Sequence, residues 1–260
     1  MTARHDSWEN SVIRLDRPSL TSAVVNLVSR WTPYLDAELH TLRELVRPGD
    51  VCVDVGSAAG VYSQALSCLA GPQGAVHSIE PLPFSHPVWS RVLGARRRPN
   101  VHQHTKALGA EPGQGAIRVP FGPYGPATSR AFLDWKTQNL GSTAEYLYHI
   151  DMLVDTDTLD GFVADVSPGR VDFVKIDVEG AELYVLHGGQ RTIETRRPTM
   201  LIEIEARHTE RYGYSPDEVV EWLTCRGYTM YAWRRGWRPA ERVCVHSHNY
   251  LFRPSAGVSG

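Results

Sequence analysis

The stretch VDFVKIDVEGAE, residues 171–182, decides the fold class of this 260-residue chain. Its first half is apolar and β-prone and predicts a strand, and Gly180 separates it from an apolar run that predicts a helix. Charged residues interrupt the strand, although burying an unpaired charge is costly. A strand, a charged turn and a helix in this order are typical of α/β proteins, which place their chemistry at the carboxyl ends of parallel strands.

The segment DVCVDVGSAAGVYSQAL, residues 50–66, predicts a second strand, turn and helix. Gly56 permits a sharp turn, and the small residues after it let a ligand approach the main chain and the helix N-terminus. The next predicted strand ends in Glu80, where an acidic side chain can accept hydrogen bonds from ribose hydroxyls. The turn lacks the G-x-G-x-x-G pattern because residue 58 is Ala. Together these features predict a nucleoside site; a tight structural turn is the alternative.

Strands and helices alternate along most of the chain. Apolar periodicity predicts strands near 51–55, 75–80, 100–105, 171–177, 199–205, 228–233 and 243–252. This alternation predicts an α/β fold with a doubly wound, mostly parallel, seven-stranded sheet of Rossmann-like type. With 42% hydrophobic residues, the chain suits a single domain over residues 1–260. Residues 1–48 of this domain are predicted to form an N-terminal helical cap before the first strand.

Residues 120–150 do not fit the alternation. They are rich in Gly, Pro and aromatic residues and separate the third predicted core strand from the fourth. Long irregular insertions in compact domains are often lids or binding loops. We therefore expect this insertion to bind substrate, with Tyr124, Trp135 and Tyr146 lining an apolar or sugar-stacking pocket. A surface excursion that packs on itself is the alternative.

Composition argues against several partners and locations. The formal charge of −2 gives no electrostatic reason to expect a nucleic acid partner. No apolar run approaches the roughly 20 residues of a membrane span, and the N-terminus does not resemble a signal peptide. We expect no membrane association and a cytoplasmic location. The sequence does not predict an oligomeric state.

Acidic residues and one histidine cluster at the predicted carboxyl ends of two strands. Lys175 and Asp177 share one strand face, Glu203 and Glu205 share a face of the next strand, and His208 follows. Three interpretations stay open. Asp177, Glu205 or His208 acts as a general base on a hydroxyl; Asp177, Glu203 and Glu205 hold Mg²⁺; or Lys175 forms a structural ion pair with a carboxylate.

At this point the sequence resembles a known family. The motifs DVGSAAGVYS, SIEP, NVHQHTKALG, DTDTLD, VDFVKIDVEGAELYVLHGG and RPTMLIEIEARH occur here in the order found in FkbM-type methyltransferases. The resemblance implies a class I methyltransferase fold, S-adenosylmethionine as cofactor, and O-methylation of a small-molecule acceptor such as a sugar or polyketide hydroxyl.

The resemblance also implies site residues. The cofactor would be bound by Asp54, Gly56, Ser57, Ala58, Gly60, Tyr62, Glu80, Pro81, Ala107 and Leu108. Asp177 is the first candidate for contacting the acceptor hydroxyl, or a metal that holds it, and His208 is the second because a neutral imidazole accepts a proton readily.

A nucleoside-binding protein of the same fold without methyl transfer is the alternative function. It would be a degenerate partner subunit or a nicotinamide-dependent oxidoreductase. The missing glycine spacing argues against the oxidoreductase, and the intact KIDVEGAE block argues against degeneration.

Overall fold

The computed structural model describes residues 39–82, 98–123, 125–146, 148–244 and 247–255. Residues 1–38 of the predicted N-terminal cap therefore lie outside the described residues. In the described part of the cap, Leu39–Glu44 forms a 3-10 helix. The candidate substrate residue Tyr124 also lies outside them. In the described part of the chain, no helix has the length and apolar character needed to cross a bilayer.

The helices and strands follow the order expected of an α/β protein. The strands are β1 Val51–Val55, β2 Ala75–Ile79, β3 Val101–His104, β4 Ala107–Leu108, β5 Gly113–Gly122, β6 Gly125–Pro126, β7 Phe132–Leu133, β8 Tyr148–Asp157, β9 Phe173–Ile176, β10 Thr199–Glu203, β11 Tyr228–Trp233, β12 Trp237–Pro239 and β13 Asn249–Pro254. The α-helices are α1 Val61–Ala70, α2 Leu159–Val166, α3 Glu182–Gly188, α4 Gln190–Arg196, α5 Ala206–Thr209 and α6 Pro216–Thr224.

Eight strands form the main sheet, in the order β12-β11-β13-β10-β9-β1-β2-β3. The five strands from β10 to β3 are parallel, and β13 lies antiparallel between β10 and β11. The predicted doubly wound, mostly parallel sheet is confirmed. The predicted count of seven strands is corrected to eight, because the short strand β12 pairs with β11 at the edge.

Apolar side chains cover both faces of this sheet. Alternation along β1 directs Val53 into one cluster and Cys52 into another on the opposite face. All four residues of β9 are buried, because β9 lies between β1 and β10 and has core on both sides. This strand can bury Lys175 only because polar groups at its carboxyl end satisfy the ammonium, as described below.

Residues 107–157 contain a second, five-stranded sheet. Its order is β4-β8-β5-β6, and β7 also pairs with β5. The ten-residue strands β5 and β8 pair antiparallel from Gly113↔Thr156 to Phe121↔Tyr148. The expectation of an irregular insertion over 120–150 is thus wrong at both ends of that segment. Residues 120–122 belong to β5, and residues 148–150 belong to β8. The segment between these strands returns over the carboxyl ends of the main sheet and brings β7 to the site.

Candidate functional site

A cavity of about 280 Å³ lies at the carboxyl ends of β1, β2, β9 and β10. We call the side chains that the second sheet contributes to it the roof, which consists of Ile117, Thr128, Ser129, Ala131 and Leu133. Four carboxyl side chains also line it: Glu80, Asp177, Glu179 and Glu203. Lys106 lines it too, but its ammonium is paired with Asp157 at 2.8 Å. The lining is therefore rich in carboxyl groups, which offer hydrogen-bond acceptors to a ligand.

The predicted glycine turn forms one side of this cavity. Gly56 has φ +77°, and a Cβ built there would overlap the carbonyl oxygen of Asp177. The turn therefore packs directly on the end of β9, which only glycine permits. Across the turn, the backbone N–H of Ala58 donates to Glu80 Oε2 at 2.9 Å and that of Leu82 donates to Oε1 at 2.9 Å.

Burial raises the pKa of Glu80 to about 7, against the lowering effect of these two N–H groups. Each of its oxygens accepts one hydrogen bond from the main chain and has a lone pair left. Glu80 therefore lies at the cavity with a fixed orientation and spare acceptor capacity, as the prediction of ribose binding requires.

A buried polar network supports the turn from below. Ser63 donates its hydroxyl proton to Asp54, and Ser78 donates its own to Ser57 at 2.8 Å. Burial raises the pKa of Asp54 to about 6, although Ser63 and Lys175 lower it. Asp54 and Ser57 line a smaller cavity of about 130 Å³, together with Tyr62.

At the end of β9, Lys175 and Asp177 form a buried ion pair. Lys175 is fully buried, lies 3.3 Å from Asp177 Oδ2 and donates to Asn249 Oδ1 at 3.0 Å. Burial would raise the pKa of Asp177, but Lys175 and a hydrogen bond with Glu203 hold it below its ordinary value. Burial and then the charge of Asp177 raise the pKa of Glu203 well above its usual range. The ionised carboxylate of Asp177 and the protonated carboxyl group of Glu203 therefore lie side by side, and both line the larger cavity.

Glu205 lies farther from the cavity than the sequence predicts. Its carboxylate pairs with Arg207, at 2.5 and 2.8 Å, and lies 3.3 Å from His248 Nδ1. Burial opposes ionisation, yet hydrogen bonds from Arg207 and Glu203 lower the pKa of Glu205 to about 2. Glu205 is not among the residues that line either cavity.

The alternative of a Mg²⁺ site at Asp177, Glu203 and Glu205 finds no support. The described residues include no group of three or more His, Cys, Asp or Glu side chains that could hold a metal ion. The physical reason is that Lys175 and Arg207 already neutralise two of these three carboxylates. The third interpretation, in which Lys175 forms a structural ion pair with a carboxylate, agrees with the observed contact between Lys175 and Asp177.

Glu179, which the sequence reasoning did not select, lies at the cavity beside His208. Glu179 has φ +56°, which is rare for a residue other than glycine, and its Oε2 lies 3.3 Å from His208 Nε2. Neither of these two buried atoms has a hydrogen-bond partner in the described structure. Burial raises the pKa of Glu179 to about 8 and lowers that of His208 to about 4. His208 does not line the cavity; it contacts Glu179, which does.

Buried contacts fix the roof to the loop that follows β10. The Tyr212 hydroxyl donates to the Leu133 carbonyl at 2.7 Å. The fully buried Arg211 guanidinium lies 3.6 Å from the centre of the Phe132 ring and donates to the Glu179 carbonyl at 2.9 Å. The strained Glu179 backbone is therefore held in place by a charged donor.

The structure brings most of the predicted cofactor residues to one place. The larger cavity is lined by Gly56, Ala58, Glu80, Pro81, Ala107 and Leu108, and the smaller one by Asp54, Gly56, Ser57, Ala58 and Tyr62. Gly60 lines neither; it starts α1 with φ +79°. Their assignment to a cofactor stays a prediction. The roof residues carry no local signal in the sequence, because long-range strand pairing brings them to the site.

The described candidate substrate residues lie outside both cavities. Trp135 stacks on Tyr184, with ring centres 6.3 Å apart, and belongs to the apolar cluster beneath the second sheet. Tyr146 packs near Gly122 on the hairpin. The 120–150 segment does contribute to the cavity, but through smaller side chains than the predicted aromatic ones.

We expect the free energy of unfolding to fall as pH rises from about 6.5 to 8. Burial raises the pKa of Glu80 and Glu182 to about 7 and that of Glu179 to about 8. In this window the folded state holds protons that the unfolded chain has lost, so the unfolding free energy decreases with pH. His77 and His208, whose pKa burial lowers from 6.5 to about 4, act in the opposite direction near pH 6.5, where the unfolded chain still protonates them in part, and this opposition fades as pH rises to 8.

Thermal unfolding of the ligand-free protein across this pH range measures the effect. Glu179→Gln removes the group with the highest of these values and should make the slope shallower. A melting temperature that rises from pH 6.5 to 8 would contradict the assignment of buried, protonated carboxyl groups.

Comparison with known proteins gives a family. A family model described as the methyltransferase FkbM domain matches residues 54–230. A curated relative, Methyltransferase 1 of Beauveria bassiana (strain ARSEF 2860), is 28% identical over 144 residues, which cover 52% of this chain and 57% of the relative.

Two solved structures are similar at low sequence identity. Methyltransferase FkbM from Methylobacillus flagellatus KT gives a TM-score of 0.48 at 18% identity and covers 84% of this chain and 50% of that chain. A SAM-dependent O-methyltransferase from Thermotoga maritima gives 0.46 at 12% identity and covers 94% of this chain and 74% of that chain. The chain spans about half the length of the curated relative and of the Methylobacillus protein.

Proposed function

This chain belongs to the methyltransferase FkbM family, and we propose that it transfers a methyl group from S-adenosylmethionine to a hydroxyl oxygen of a small-molecule acceptor, of sugar or polyketide type. Family membership favours this over the alternative of a nucleoside-binding protein without methyl transfer. The observation that carries the proposal is Glu80, held by main-chain N–H groups across the glycine turn with lone pairs free toward the cavity.

The residues present fit this cofactor. Glu80 would accept hydrogen bonds from the two ribose hydroxyls, and Pro81 and Leu108 offer apolar surface beside it. The ionised Asp177 carboxylate in the lining favours a ligand that carries a positive sulfonium. Ser57 and Tyr62, at the smaller cavity beyond the turn, are placed to receive the methionine end.

When bound, S-adenosylmethionine supplies an electrophilic methyl group, so the protein's remaining tasks are to orient the acceptor and to take up one proton. Orientation contributes on the order of 7–11 kcal/mol, and a positioned base about 10²–10⁴ in rate. Asp177 lines the cavity and is kept ionised by Lys175, so it can accept the hydrogen bond and the proton of the acceptor hydroxyl. His208 lies behind Glu179 and can act on the cavity only through that side chain.

Replacement of Glu80 tests the cofactor site. Glu80→Ala removes the acceptor of the ribose hydroxyls, and we expect it to weaken S-adenosylmethionine binding by about 1–3 kcal/mol. Isothermal titration calorimetry measures the Kd for S-adenosylmethionine and, in parallel, for NAD, which should not bind. Glu111→Ala is the matched control, because it removes an exposed carboxylate away from the cavity. An unchanged Kd in folded Glu80→Ala protein would contradict the placement of the ribose.

Incubation with isotopically labelled cofactor and candidate acceptors tests the reaction itself. Mass spectrometry should find one added methyl on a hydroxyl-bearing acceptor, and an acceptor analogue without that hydroxyl should gain none. Methylation at carbon or nitrogen would retain the family assignment and overturn O-methylation.

A further inference from the structure

One strand of the second sheet exposes apolar side chains in an unusual concentration. Within the described residues, the exposed large hydrophobic side chains are Tyr148 (72% exposed), Ile150 (49%) and Leu153 (73%), and all three belong to β8. Scattered exposed apolar residues are ordinary, but several on one strand point to a covered surface. We call residues 148–155 the β8 edge.

The β8 edge also leaves one side of its backbone without a strand. On one side, β5 pairs with β8 along nearly its whole length. On the other side, the described chain pairs β8 with β4 at Thr156 and Asp157 alone. Eight residues of extended backbone, about 27 Å long, therefore present unpaired edge groups. Such an edge is a template for another strand.

The usual protections of a sheet edge are missing from this one. Residues 148–155 read YHIDMLVD and contain no Lys, Pro or Gly. The neighbouring strand neutralises one of the two acidic side chains and gives the other a neutral hydrogen-bond donor. Arg118 of β5 donates to both oxygens of Asp151, at 2.7 and 2.9 Å, and Gln114 contacts Asp155 at 3.4 Å. A second strand can approach without meeting a row of unpaired charges.

We propose that the β8 edge pairs antiparallel with the β8 edge of a second copy of this chain, about a twofold axis that is perpendicular to the sheet and passes midway between the two opposed Met152 residues. An antiparallel pair is isologous, so one patch serves both copies. A twofold axis perpendicular to the sheet keeps corresponding faces together. Residues 148, 150, 152 and 154 share one face of the strand, and in the pair they lie on the same face of the sheet as residues 148, 150, 152 and 154 of the second copy; Leu153 lies on the opposite face in both.

Charge decides the register among the possible centres. With the axis at Met152, no two carboxylates of residues 148–155 are opposed: Asp155 faces His149, Asp151 faces Leu153 and Ile150 faces Val154, each twice. A centre at Asp151 places two Asp151 carboxylates face to face. A centre at Leu153 opposes Asp151 to Asp155. Like charges directly opposite each other destabilise a strand pair, whereas apolar pairs stabilise it.

The contact is small for a permanent dimer. An eight-residue edge buries less than the roughly 1,200–2,000 Å² of a standard interface. We therefore expect a reversible dimer whose fraction falls on dilution. It is independent of the proposed methyl transfer, because the residues of the β8 edge do not line the cavity.

Light scattering coupled to size-exclusion chromatography, over a dilution series of the full chain, tests the dimer. Ile150→Lys places a charge on the edge and should raise the dimer dissociation constant at least about tenfold. Ala164→Lys adds the same charge to an exposed position of α2 and should leave the constant unchanged. Circular dichroism confirms that both variants fold. A monomer at every concentration overturns the proposal, as does equal association of the two variants.

Cysteine cross-linking tests the register. In a Cys225→Ser background, which removes the exposed native thiol, Met152→Cys should form an intermolecular disulfide, because directly opposed residues have Cα atoms about 4.5–5.5 Å apart. Asp151→Cys and Leu153→Cys should cross-link more slowly. The proposed pairing is overturned if Asp151→Cys or Leu153→Cys cross-links faster than Met152→Cys. It is also overturned if Met152→Cys forms no disulfide in a sample that is dimeric by light scattering.

Discussion

Replacing Gly56 with Ala should cost about 4 kcal/mol or more of the free energy of unfolding. A methyl group at residue 56 would overlap the Asp177 carbonyl oxygen, and the backbone has φ +77°. The collision is with backbone at the end of β9, which cannot move without breaking its pairing to β1. No bound ligand is needed for this effect, because the contact of Gly56 with Asp177 is part of the fold itself.

Gly169→Ala is the matched control. Gly169 has a similar φ of +73°, but a Cβ there meets nothing within 4 Å. It should cost only the left-handed backbone preference, about 1–2 kcal/mol. Chemical denaturation measures both variants. Equal losses would mean that the contact between the glycine turn and β9 contributes nothing beyond backbone strain.

The second large effect concerns the Lys175 ammonium and its two carboxyl groups. Asp177→Asn should lower kcat about 10²-fold or more, because it removes the ionised carboxylate at the cavity. The variant should still fold. Asp177 raises the pKa of Glu203, so its replacement lets Glu203 ionise and take over as counter-ion to Lys175.

Combining Asp177→Asn with Glu203→Gln should be far more damaging than the two single changes suggest. The double variant removes both carboxylates at the end of β9 and leaves buried Lys175 to the weaker interaction with Asp54, a loss of about 3–5 kcal/mol. Adding Lys175→Met removes the stranded charge and should restore stability without restoring activity. A double-mutant cycle measured by chemical denaturation gives the coupling. Strict additivity would show that Glu203 does not act as the reserve counter-ion.

The central sheet could be predicted from sequence because its signals are local. Apolar runs such as residues 51–55 and 199–203, each followed by a helix start, give parallel strands in order. The start of α6 carries an equally local signal, since Ser215, Pro216 and Glu218 form a capping box in which Glu218 accepts the backbone N–H of Ser215. Glu80 and the glycine turn meet as predicted, because neighbouring parallel strands end at the same edge.

The second sheet could not be predicted in the same way. β5 contains Pro120 and three glycines, which are signals of a loop, and its partner β8 is more than 20 residues away along the chain. Tertiary pairing overrides those local preferences. The role expected of Trp135 met the same difficulty: an aromatic residue in a Gly- and Pro-rich segment suits a pocket or a small core, and here it packs on Tyr184.

In the roof and the adjacent Phe132, some residues hold the segment in place and others line the cavity. Phe132 and Leu133 attach it to the main sheet through Arg211 and Tyr212, whereas Thr128, Ser129 and Ala131 face the cavity without being part of those attachments. Substitution at the three small positions can therefore reshape the cavity while the contacts of Arg211 and Tyr212 stay in place. Descendants of one ancestral scaffold could in this way diversify their chemistry in small, separately tolerated steps.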